Sequence, residues 1–207
     1  MIVDSHAHIF IQLKGETGTG STRGLGYGLA THGSRTIRLL PPYCQETTFT
    51  LKMLLHNLDW VGVDKAVLLQ GPFYGDWNDY VEKAVQSHPD RFVGAYHIDP
   101  WASGFQESLA RVLVSDCFSA VKLECTADTG LLGLHPQVKL DAPEVFTLCE
   151  GLSQKGLTLV FDLGAVGSPS YQTEAVRRIA NHFPSLKIVI AHLAQLKPNV
   201  EVDQTAF

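Results

Sequence analysis

The sequence predicts a parallel α/β fold, and three observations carry that prediction. Short apolar runs suited to strands alternate with amphipathic stretches suited to helices along nearly the whole chain. The runs are apolar throughout, as expected of parallel strands covered on both faces. Most of them end in a side chain able to do chemistry. A doubly wound sheet and a β/α barrel both satisfy this pattern.

The first run, Ile2-Val3, leads into Asp4-Ser5-His6-Ala7-His8. Strand side chains alternate, so His6 and His8 point the same way, where two imidazoles can converge on one metal ion. The plain alternative is a polar strand end without a ligand. A polar stretch with glycines at 15, 18, 20, 24, 26, 28 and 33 follows, and Lys14 to Ser34 is expected to be an irregular loop. Loops of ~20 residues often act as lids. Arg23, Arg35 and Arg38 on or beside it read as solvated surface charge.

Leu51, Leu54, Leu55 and Leu58 recur at helical spacing and predict a helix over Glu46 to Val61, stopped by Gly62. Lys65 to Gln70 is a strand, closed by Gly71-Pro72, and Asp76 to Ser87 is a helix ending before Pro89. Arg91 to His97 is the next strand, Phe105 to Val114 a helix, and Phe118 to Leu123 a strand followed by Glu124. Thr126 to Lys139 is expected to be loop. A helix from Ala142 to Lys155 has Pro143 in its first turn and Gly156 after its last. Leu157 to Phe161 is a strand meeting Asp162, Tyr171 to His182 a helix, and Leu186 to Ala191 a strand meeting His192.

At 207 residues one domain is expected, spanning residues 1–207. A net charge of −5 without a basic cluster gives no sign of a nucleic-acid partner. No apolar run reaches the ~18 residues that span a membrane, and no signal peptide is visible. Cys44, Cys117, Cys125 and Cys149 are scattered and read as reduced thiols in a cytoplasmic protein.

In parallel α/β folds ligands bind beyond the carboxyl ends of the strands. The polar residues there are His6 and His8, Gln70, His97 and Asp99, Lys122 and Glu124, Asp162, and His192. Five of the six runs thus end in an ionisable group, which points to a metal-assisted enzyme. Lys122 and Glu124 share a face and suit anion binding or proton transfer, or form an ordinary ion pair. His97 and Asp99 suit a turn before Pro100 better than a site. A carboxylate buried at Asp162 needs a nearby cation. Ser168 and Ser170 are not in Gly-x-Ser-x-Gly, and Cys125 falls on the other parity from Glu124.

Together these residues resemble a known family. Val3-Asp4-Ser5-His6-Ala7-His8 is similar to the first-strand signature of the amidohydrolase superfamily. Gly62-Val63-Asp64-Lys65-Ala66-Val67, His88-Pro89-Asp90-Arg91-Phe92-Val93-Gly94 and Ile188-Val189-Ile190-Ala191-His192-Leu193 resemble its amidohydrolase-related branch, in the right order. That branch holds aminocarboxymuconate semialdehyde decarboxylase-like proteins and lactone hydrolases. The resemblance implies a distorted (β/α)8 barrel, here incomplete, with six to seven parallel strands. It implies one divalent ion, often zinc, held by first-strand histidines, a fifth-strand His and an eighth-strand Asp. His6 and His8 match the first pair, Asp162 stands at the fifth-strand position as an oxygen ligand, and His192 matches a sixth-strand His that activates water or substrate. With Glu124 and Lys122 these form the expected catalytic set.

A complete barrel takes ~250 residues and eight strands. Asn199 to Val202 is a weak seventh candidate, and Asp203 lies too close to His192 to be the eighth-strand Asp. The chain is therefore expected to be a truncated product, a barrel completed by another chain, or an open sheet whose edges invite self-association. The expected activity is hydrolysis of a lactone or amide in a small carboxylated substrate. The alternatives are decarboxylation of an aromatic or unsaturated acid, and a catalytically inactive barrel fragment.

Overall fold

The computed structural model of the protein describes residues 1–195. The first strand, β1 (Val3–Ala7), is followed by a small antiparallel sheet: β2 (Glu16–Thr17), β3 (Gly20–Gly26), β4 (Leu29–His32) and β5 (Arg35–Arg38). Then come α1 (Leu51–Val61), β6 (Lys65–Leu68), α2 (Asn78–Ser87), β7 (Phe92–His97), α3 (Phe105–Val114), β8 (Phe118–Glu124), the short α4 (Leu131–Leu134), α5 (Pro143–Lys155), β9 (Thr158–Asp162), α6 (Thr173–His182) and β10 (Lys187–Ile190). A 3-10 turn, Ala191–Gln195, closes the described chain.

Six strands form one parallel sheet in the order β1-β6-β7-β8-β9-β10, each beside its predecessor. This is the strand order of a β/α barrel, and the sheet curls as an incomplete one. Apolar residues line part of its concave face, where Leu69, Ala95, Ala120, Val160 and Ala191 cluster. The larger core lies between the strands and the helices, around Leu68, Val121, Leu123, Leu159 and Phe161. Register fixes the site: Glu124 pairs with Asp162, and Lys122 lies one layer deeper, between His97 and Val160. The weak seventh-strand candidate, Asn199 to Val202, lies outside the described residues. Among those residues no helix is long and apolar enough to cross a membrane.

The helices sit close to their expected places. Helix α1 starts later than its pattern suggests, because Thr50 caps it and accepts a hydrogen bond from Met53 N. The residues before it are held extended: Phe49 exchanges backbone hydrogen bonds with Phe10, and the Thr47 hydroxyl donates to Leu29 O. Gly62 ends α1 at φ 74°, a conformation that disfavours a side chain.

The expectation of an irregular loop over Lys14 to Ser34 is wrong. The stretch forms most of the antiparallel sheet. Its glycines mark turns between short strands, as at Gly28 (φ 73°) and Gly33 (φ 59°), which join β3 to β4 and β4 to β5. The sheet has its own apolar contacts, Ala30, Ile37, Leu39 and Leu40 against Phe10, Phe73 and Trp77. Within the expected loop over Thr126 to Lys139, α4 is a further difference.

Candidate functional site

The carboxyl ends of β1, β8 and β9 and the turn after β10 meet at one cavity of about 290 Å³. Its polar side includes His6, His8, Lys122, Glu124, Asp162 and His192, every residue of the expected catalytic and metal set, with Thr126 and Thr129 beside them. Its apolar side is Ile37 and Leu39 around β5, with Phe73 and Tyr74 from the loop after β6.

His8 is fixed first. Its Nδ1 lies 2.7 Å from the Leu69 carbonyl, which can only accept, so Nδ1 carries the proton and Nε2 presents a lone pair. Tyr74 stacks on the ring, with centroids 4.5 Å apart. His6 stands 4.9 Å from His8 and stacks on His192 at 4.5 Å. Burial, followed by the charge of Lys122, pushes the His6 imidazole down to about 4 and that of His8 to about 3. Both rings are neutral at neutral pH.

Lys122 sits among the acceptors. Its side chain is 2% exposed, and its Nζ lies 2.9 Å from Glu124 Oε2, 3.4 Å from His6 Nε2 and 3.8 Å from Asp162 Oδ2. Two carboxylates at this range offset the desolvation of the ammonium. Glu124 is itself held by the Thr126 hydroxyl, which donates to Oε1 at 2.8 Å. Gly71 makes room for it, since a Cβ there would meet Glu124 Cβ and Cγ at 3.1 Å. Asp162 Oδ1 accepts from Gly164 N, while its Oδ2 lies 3.3 Å from His192 Nε2. His192 has φ 55°, a strained conformation for a residue with a Cβ, and turns off the end of β10.

The remaining strand-end residues serve the fold. Gln70 donates to Ile9 O, and Asp99 accepts from Trp101 N and from His135 Nε2. His97 is half-buried, its backbone N–H donates to Asn78 Oδ1, and it does not line the cavity. Cys125 donates to Leu123 O, and burial pushes its thiol well up, which makes it a poor nucleophile. Sequence reasoning missed Tyr74, Phe73, Ile37 and Leu39. The aromatic pair directly after Gly71-Pro72, beyond a strand end, was the available signal for two of them.

For a divalent ion, His6, His8 and Asp162 supply suitable donor types, and the Leu69 carbonyl, by accepting from Nδ1, turns Nε2 of His8 outward as the carbonyl partners of metal-bound histidines do. The arrangement nevertheless does not fit one. The lone pair of His6 Nε2 faces the Lys122 ammonium. At ~4 Å two unit charges repel by about 4 kcal/mol at an effective dielectric of ~20, and a divalent ion doubles that. Among the described residues no three His, Cys, Asp or Glu side chains form a group that could hold a metal.

The family model described as Amidohydrolase matches residues 3–207. No curated protein matches the chain. Among solved structures, a probable 2-pyrone-4,6-dicarboxylic acid hydrolase from Acinetobacter baumannii, with citric acid bound, superposes with a TM-score of 0.59. It is 20% identical over 96% of this chain and 60% of its own. A 5-carboxyvanillate decarboxylase from Novosphingobium aromaticivorans, complexed with manganese and 4-hydroxy-3-methoxy-5-nitrobenzoic acid, gives 0.55 at 18% identity, over 72% of this chain and 51% of that one. A 2,6-dihydroxybenzoate decarboxylase from Rhizobium gives 0.52 at 14% identity, over 70% and 56%. The chain spans at most 60% of the length of each of these, and at such identities the likeness is one of fold.

Proposed function

The chain belongs to the amidohydrolase family, whose members are enzymes, and on that premise we propose that it hydrolyses the ring ester of a small carboxylated lactone. The observation that carries this reading is the His192–Asp162 pair, 3.3 Å apart, set on the same cavity as the Lys122 ammonium. A base and a fixed cation facing one space are what acyl hydrolysis needs.

With Nε2–H of His192 directed at Asp162, Nδ1 is the free base. It takes a proton from a water as the water oxygen bonds to the acyl carbon. The electron pair displaced from the carbonyl rests on its oxygen, facing Lys122. When the carbonyl reforms, the ring C–O bond breaks, and His192 returns its proton to the departing alkoxide. Lactone plus water thus gives a hydroxy acid. Asp162 holds the ring and stabilises its charged form, and Glu124 keeps the ammonium in place. The competing arrangement of the same site, a zinc or manganese ion on His6, His8 and Asp162, has the outward Nε2 of His8 in its favour. Decarboxylation of an aromatic acid is the second reading, favoured by the flat apolar wall of Phe73, Tyr74, Ile37 and Leu39.

A panel of carboxylated lactones and aromatic acids separates these readings, with ring opening followed by acid titration and decarboxylation by released carbon dioxide. The expected result is ring opening that falls at least ~10²-fold in His192→Ala and Asp162→Asn. Carbon dioxide release without ring opening assigns the decarboxylase reading, and neither activity assigns the inactive fragment.

A further inference from the structure

We propose that the Lys122 ammonium takes the place of a divalent ion in this site: it is the resident cation that holds the substrate's carbonyl oxygen, and its presence excludes metal. What the ammonium does rests on the hydrolase reading above, whereas the exclusion of metal does not.

The geometry is specific. Lys122 starts one layer below the carboxylates, in register with Val160, and its four-carbon stem brings Nζ up to the level of Glu124 and Asp162. There the ammonium meets His6 Nε2, one of the three acceptors that would otherwise ligate an ion, and lies 3.8 Å from a second, Asp162 Oδ2. An ammonium has three N–H donors and no acceptor. Glu124 Oε2 at 2.9 Å takes one and His6 Nε2 at 3.4 Å takes a second. Asp162 Oδ2, at 3.8 Å, is beyond hydrogen-bond reach, so the third donor is left for an oxygen entering the cavity that Lys122 lines. His6 then acts as a positioning residue for the ammonium, and Glu124 supplies the opposite charge that faces it at 2.9 Å. A metal held by His6, His8 and Asp162 must displace the ammonium from His6 and bear its charge beside Asp162.

The test is metal binding, read apart from turnover. The full chain is stripped with chelator, titrated calorimetrically with Mn²⁺ (chosen because it avoids thiols), and its retained metal is measured after gel filtration. The expected wild-type result is no saturable binding at micromolar Mn²⁺, less than about 0.1 ion per chain, and ring opening unaffected by chelator. Lys122→Met is expected to gain Mn²⁺ binding that a further His8→Ala change removes, and to lose ring opening by about 10²-fold. One tightly held ion per wild-type chain, lost in His6→Ala and His8→Ala, overturns the proposal, as does metal binding that requires Lys122. The wild-type titration decides even where Lys122→Met fails to fold. Absence of turnover on every lactone defeats the hydrolase reading and leaves the metal result standing.

Discussion

At the scale of single residues, His6 and His8 tie stability to pH. Both titrate well below the usual 6.5 when folded, at about 4 and about 3, because burial and then Lys122 disfavour their charged forms. The unfolded chain therefore binds more protons than the native one between those values and 6.5. The sign follows: the contribution is complete above pH ~6.5 and falls away as pH drops through 6.5 towards 4 and then 3. Urea titrations at pH 7.5 and 5 are expected to show a lower midpoint at the acid value, and His8→Gln is expected to shrink that difference. An unchanged midpoint would mean that the rings are not buried as neutral groups. These two residues were legible from the sequence because strand parity and position after an apolar run are local properties. The Leu69 carbonyl that orients His8, 61 residues away, was not, because backbone acceptors leave no mark on a sequence.

At the scale of elements, caps and turns separate what was read correctly from what was not. Helix α5 carries Pro143 at its start and Gly156 at φ 78° after its end, and both signals are visible in the chain. Helix α1 has an apolar pattern that says little about where it begins, so the Thr50 cap was hidden among several polar residues. Thr50→Ala is expected to cost about 1 kcal/mol in equilibrium unfolding, by loss of the hydrogen bond to Met53 N. A change within error would place the helix start elsewhere. The antiparallel sheet β2–β5 was illegible for a related reason. Its strands are as short as two residues, and its glycines sit at reversals that a composition reading takes for disorder.

At the scale of the whole molecule, the parallel sheet was legible because strands alternate with helices, whereas that alternation left a doubly wound order open and the sequential order came only with the family resemblance. The core that results is shared: Phe161 is fully buried on β9, two positions after Leu159 and one before Asp162. Phe161→Ala is expected to destabilise the fold by about 3–5 kcal/mol, a large fraction of the ~5–15 kcal/mol typical of a domain. Thermal unfolding followed by circular dichroism checks it, and a loss below about 1 kcal/mol would show that the sheet and helices do not share one core. β1 and β10 are each paired on one side only among the described residues, and β1 carries the histidine pair.

The antiparallel sheet has one more implication. The reacting groups of the cavity are scattered along the chain from His6 to His192, held by β1 and its end, by β8, by β9 and by the turn after β10. Two of the four apolar groups opposite them, Ile37 and Leu39, lie two positions apart on one contiguous insert between β1 and α1. Recombination or drift in that short segment can reshape what enters the cavity while the reacting groups keep their places. Chemistry and selectivity thus sit on separate parts of the chain, and a change in one need not disturb the other.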